Sequence, residues 1–112
     1  MLEQLIFVGF NSRVAALDRR TGELVWNWKS PRGKGYVTVF LDGELLIVSV
    51  VGYTYALDSL TGRTVWFNEL SGFGMGVASI ASVRGSVQNI AAAAAQADEE
   101  SAQHSSTVST SQ

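Results

Sequence analysis

The sequence contains no cysteine, which excludes disulfides, thiolate nucleophiles and cysteine-based metal sites together. It has one histidine, His104, in a Ser/Thr-rich stretch near the C-terminal end. A lone imidazole there reads as solvated, and no Ser-His or Cys-His pair is available for nucleophilic catalysis. Charged residues make up only 16% and the formal net charge is −2, with no basic block. Nucleic acid is therefore not an expected partner, because phosphate binding needs clustered Lys and Arg. No apolar run reaches the roughly 18 residues of a membrane span. Met1 to Phe10 carries Glu3 and has no basic start, so it does not read as a secretory signal. As written the chain is expected to be cytoplasmic; cut from a longer precursor, it would be periplasmic.

What is abundant is apolar: 46% of the 112 residues, enough for one folded domain. The chain also repeats itself. Leu5 to Trp26 reads LIFVGFNSRVAALDRRTGELVW, and Leu45 to Trp66 reads LLIVSVVGYTYALDSLTGRTVW. Ala16-Leu17-Asp18 aligns with Ala56-Leu57-Asp58, Thr21-Gly22 with Thr61-Gly62, and Trp26 with Trp66, all at an offset of 40 without a gap. That falls within the roughly 40–50-residue period of propeller blades. A helical solenoid of similar period is disfavoured by the β-branched runs and by turn signals every 8–12 residues or so.

Each copy reads as strands. The expected ones are Leu5 to Phe10, Arg13 to Leu17, Leu24 to Lys29 and Tyr36 to Leu41, then Leu45 to Val50, Tyr53 to Leu57, Thr64 to Asn68 and Gly76 to Ala81. Asn11-Ser12, Asp18 to Gly22 and Asp42-Gly43 supply turns. The fold class is all-β, with a two-blade unit over residues 1–83 (repeats about 5–44 and 45–83) and a tail over 84–112. Arg84-Gly85-Ser86-Val87 faintly resembles Asp42-Gly43-Glu44-Leu45, as though a third copy began and decayed. In the tail, Val87 to Ala97 contains Ala91 to Ala95 and is expected to form a short helix with Ser86 as its cap. Ser101 to Gln112 reads as disordered.

The pattern Ala-x-Asp-x-x-Thr-Gly-x-x-x-Trp resembles the tryptophan-docking motif of PQQ-type β-propellers, the quinoprotein alcohol dehydrogenase-like repeats. The resemblance covers about residues 5 to 82. It implies that Ala16, Gly22 and Trp26, and likewise Ala56, Gly62 and Trp66, are structural. Each indole would stack on the Ala-to-Gly segment of a neighbouring blade. A buried indole brings a large contact area and one N–H in need of a carbonyl. Trp28 has no counterpart, since the second copy has Asn68, and is expected as exposed packing or a partner contact. The family's dehydrogenases are longer, hold PQQ with calcium-ligating Asp, Glu and Asn, and commonly carry a vicinal disulfide. This chain lacks cysteine and a matching acidic cluster, so neither PQQ nor any other cofactor or metal is expected, and no catalytic residue is assigned. Other relatives are non-catalytic platforms, including outer-membrane assembly lipoproteins, which carry a lipoprotein signal and its Cys.

In such propellers the innermost strand begins the next blade. The eight expected strands then count as three, four and one, which makes two blades if the last strand completes the first blade of another copy. Two blades leave open β-edges and apolar faces. Cyclic assembly removes both. Propellers have about four to eight blades, so a tetramer is expected in preference to a trimer. The primary partner is thus the chain itself, with another protein as the second class of partner. The loops at one end hold Lys29, Arg32 and Lys34, and Phe73 and Met75; alternating around a ring, they would form an anion-attracting or partner-binding face. The expected function is a non-catalytic, self-assembling scaffold or interaction module. The alternatives are a ligand or enzyme site formed only in the assembled channel, or a piece of a longer propeller.

Overall fold

A computed structural model of the protein describes residues 2–88. After a short 3-10 turn at Leu2–Gln4, nine strands follow: β1 (Leu5–Phe10), β2 (Arg13–Asp18), β3 (Leu24–Lys29), β4 (Val37–Asp42), β5 (Leu45–Val50), β6 (Tyr53–Asp58), β7 (Thr64–Asn68), β8 (Ser79–Ser82) and β9 (Gly85–Gln88). They form antiparallel sheets ordered β1-β2-β3, β4-β5-β6-β7 and β8-β9.

The two sequence copies fold alike down to their turns. Asn11 and Ser12 both take positive φ, 53° and 67°, which suits the tight turn of a twisted hairpin. The Asp18 carboxylate accepts the N–H groups of Arg20 (2.8 Å) and Thr21 (3.1 Å), and Asp58 accepts that of Leu60 (2.9 Å). Gly22 N–H donates to the Asp18 carbonyl and Gly62 N–H to the Asp58 carbonyl, each at 2.8 Å. The Thr21 and Thr61 hydroxyls accept the N–H groups of Glu23 and Arg63. These bonds account for Asp, Thr and Gly at fixed spacing: two short side chains saturate backbone donors while the glycine takes a left-handed φ. A register shift follows Ala16 in the first sheet and Ala56 in the second.

The core lies between the first two sheets. Val14, Ala16, Trp26 and Trp28 of the first pack with Val37, Leu46, Val48, Val50, Tyr55 and Leu57 of the second. β4 packs against β1, and also against β8 and β9.

The C-terminal part differs from the sequence expectation. The eighth strand starts at Ser79 rather than Gly76, and residues 85–88, assigned to the tail, form a ninth strand. The turn between them is Val83-Arg84, 40 residues beyond Gly43-Glu44. The repeat therefore continues at its own period, two residues earlier than the faint similarity at Arg84 suggests. The cause is contact with the middle sheet. Arg84 Nη1 reaches Asp42 Oδ1 at 2.7 Å, the Ser82 hydroxyl donates to the same oxygen at 3.1 Å, and the Thr38 hydroxyl donates to the Ala78 carbonyl at 3.3 Å. Ser86 is consequently a strand residue, not a helix cap. The strand count becomes three, four and two, and β8 is already paired. The remainder of the expected helix, from residue 89, and the tail beyond it lie outside the described residues.

Candidate functional site

Trp26 and Trp28 leave β3 on the same face, two residues apart, because side chains alternate along a strand. Both cross to the middle sheet. Trp26 is 8% exposed. Its Nε1 donates to the Ser59 carbonyl at 2.9 Å, and its ring lies on Gly62, where a Cβ would stand 2.5 Å from Cε3 and 2.7 Å from Cδ2. Gly62 is at φ 80°, so its lack of a side chain serves both the turn and the close approach of the indole. Ala16, opposite Trp26 in register, is fully buried beneath it.

Trp28 is buried as well, contrary to the expectation of an exposed or partner-contacting residue. Its ring meets Tyr55 edge-on at 4.7 Å, and its Nε1 donates to the Thr64 hydroxyl at 3.2 Å. The Tyr55 hydroxyl in turn donates to the Arg32 carbonyl at 3.0 Å and accepts the Arg32 N–H at 3.1 Å, holding the loop after β3 over the junction. Sequence comparison of the copies missed this network because Asn68 stands where a second Trp28 would be, and Ala15 where a first Tyr55 would be.

The second motif is placed differently. Ala56 is buried opposite Trp66, as Ala16 is opposite Trp26. Yet Trp66 is 43% exposed, and every residue of β7 is exposed. At Gly22, φ 78°, no atom of the described residues stands within 4 Å of the place a Cβ would take. The structure thus shows one indole on a glycine seat, one exposed indole, and one uncovered glycine seat.

The loop residues are less uniform than a basic and apolar alternation. Arg32 is ion-paired with Glu69 of the next loop, which offsets part of the positive field expected from Lys29, Arg32 and Lys34. Lys29 and Lys34 are exposed. Phe73 and Met75 are largely exposed and edge a cleft with Ile47, Ser49 and Thr54 on the far face of the middle sheet. Among the described residues, no three His, Asp or Glu side chains gather at metal-binding distance.

The comparisons with known proteins agree with this geometry. The profile of the family described as "Outer membrane protein assembly factor BamB" matches residues 11–106. No curated protein matches. The crystal structure of BamB from Moraxella catarrhalis is similar, with a TM-score of 0.52 and 26% identity over 69% of this chain and 23% of that one. The chain therefore spans less than a quarter of the length of that relative. With two in-register blade motifs, antiparallel sheets stacked through Trp26, and a family match across most of its length, the chain belongs to the BamB family of PQQ-like β-propeller repeat proteins.

Proposed function

We propose that the protein is a non-catalytic propeller scaffold that works by protein–protein contact, first of all with further copies of itself. The observation that carries this reading is that the first sheet and the last strand of the middle sheet expose apolar surface a complete propeller would cover. Ile6, Val8, Phe10 and Val25 are exposed on the first sheet, and Val65, Trp66 and Phe67 on β7. Apolar faces of this kind mark interaction surfaces, and blades bury them by stacking on neighbours. The family description, an assembly factor of the outer membrane, supports an interaction role over an enzymatic one. It also favours the cell envelope, hence the periplasmic alternative, over the cytoplasm. Ring closure by four copies, in preference to three, remains the simplest arrangement, with another protein as the alternative partner.

The test is absolute mass in solution, by size exclusion with light scattering on the full chain over a concentration series. The expected result is a defined multiple of the 12.0 kDa chain. A folded monomer at every concentration overturns self-assembly.

A further inference from the structure

Resting on the self-assembly reading, we infer the junction between copies: Trp66 of one copy lies on the Asp18–Gly22 turn of a second copy, and β1 of that second copy replaces β9 beside β8.

The template is inside the chain. Trp26 reaches forward to the Asp58–Gly62 turn of the next sheet, with Nε1 on the Ser59 carbonyl and the ring on Gly62. Trp66 holds the same register position opposite Ala56 that Trp26 holds opposite Ala16, but its indole is exposed. The Asp18–Gly22 turn shares three bond types with its counterpart, from Arg20 and Leu60 N–H to the Asp carboxylate, from Gly22 and Gly62 N–H to the Asp carbonyl and from Glu23 and Arg63 N–H to the Thr hydroxyl, and has nearly the same glycine φ, 78° against 80°. Among the described residues nothing covers its glycine face. Knob and seat are therefore built to one pattern and left open at opposite ends of one molecule. A second copy supplies both, because each chain carries one of each; the contact is head-to-tail. The equivalent acceptor for Trp66 Nε1 is the carbonyl of Arg19.

The strands fit the same placement. The middle sheet has an inner strand, β4, beside β5, whereas among the described residues β1 is paired only with β2. The counterpart of β4 at the next repeat is β8, and it is held by β9 through four residue pairs, against six between β4 and β5. β1 offers Leu-Ile-Phe-Val-Gly-Phe where β9 offers Gly-Ser-Val-Gln. Exchange of β9 for β1 of a second copy lengthens the apolar segment beside β8 and completes a four-stranded blade. It also brings the Asp18–Gly22 turn to the position relative to Trp66 that Asp58–Gly62 has relative to Trp26. This junction is weaker than the internal one. The positions of Trp28, Tyr55 and Thr64 are taken by Asn68, Ala15 and Leu24, so the edge-on ring pair and the indole–hydroxyl bond are missing. Trp66 is left as the main anchor.

The test uses full-length variants and solution mass. Trp66→Ala removes the knob. Gly22→Asn fills the seat while keeping a residue that tolerates positive φ. Each alone should weaken association by about 30-fold or more, as for a central tryptophan anchor. Mixed in equal amounts, the two variants should form a dimer and nothing larger, since one intact Trp66 and one intact seat remain between them; this complementation also shows that both are folded. Val87→Pro, which weakens β9 as a ladder partner, should strengthen wild-type association. If the wild type assembles and neither Trp66→Ala nor Gly22→Asn alters it, this junction is wrong although self-assembly stands. If Val87→Pro weakens association, the strand exchange is wrong. A wild type that never associates overturns both readings.

Discussion

The six-membered ring of Trp26 rests on Gly62 so closely that a Cβ there would lie 2.5 Å from Cε3. Gly22 has nearly the same backbone conformation, with none of the described residues above it. The pair separates backbone strain from docking, two costs that usually arrive together. Gly22→Ala and Gly62→Ala should share the strain of a left-handed alanine, about 1–2 kcal/mol. Gly62→Ala should lose more, because the methyl expels the indole from its seat. Denaturant unfolding of the two variants, under dilute conditions where the chain is dissociated, checks this. Equal losses would mean that the indole contributes nothing at Gly62.

The two motif tryptophans should differ in the same direction. Trp26→Phe leaves the buried Ser59 carbonyl without its donor, a loss of about 1–3 kcal/mol. Trp66→Ala on the dissociated chain removes a half-exposed ring and should change stability by less than about 1 kcal/mol. A large loss of monomer stability on Trp66→Ala would show that the indole is already covered within its own chain.

Tyr55→Phe tests the loop clamp. Its hydroxyl both donates to and accepts from the backbone of Arg32 and lies 3.2 Å from the Ser30 hydroxyl. The expected loss is about 1–2 kcal/mol, with faster hydrogen exchange at the Arg32 amide. Unchanged exchange there would argue that the other contacts of the loop, the Arg32–Glu69 pair and the Ser12–Gly35 bonds among them, hold it without the Tyr55 hydroxyl.

Acid should loosen the turn at Asp18 and the third sheet at Asp42. The backbone N–H groups of Arg20 and Thr21 hold the Asp18 carboxyl below its ordinary range, and the Arg84 guanidinium does the same for Asp42. With the folded pKa below the unfolded one, the stabilisation is complete above the ordinary aspartate value of about 3.9 and is lost as pH falls through the folded value. Asp18→Asn keeps an acceptor oxygen for both N–H groups but does not titrate. It should flatten the acid limb of a stability–pH profile below about pH 4; a profile identical to wild type would assign that limb to other carboxylates.

Much of the architecture was legible because its signals are local. Strand bounds follow from β-branched runs closed by Asn11-Ser12, Asp18 to Gly22 and Asp42-Gly43, and in the first seven strands they fall within a residue of the structure. Their turn chemistry is completed within a few residues, so the sequence carries it whole. The burial of Trp28 was not legible, since its partners, Tyr55 and Thr64, have no equivalents in the first copy and meet it only across the sheet junction. β9 was not legible either. Gly-Ser-Val-Gln is a weak strand on its own, and it is fixed by pairing to β8 and by the bond from Arg84 to Asp42, 42 residues away in the chain.

Sequence alone determined that this protein is built of PQQ-like blades, that Trp26 and Trp66 hold equivalent positions, and that each copy offers a glycine seat. Which indole finds a seat was decided only by tertiary structure. The motif is local and recurs intact, but docking needs a neighbouring sheet, and among the described residues only the first tryptophan has a complete one beside it. The same residues therefore form a buried joint at Trp26 and an exposed surface at Trp66.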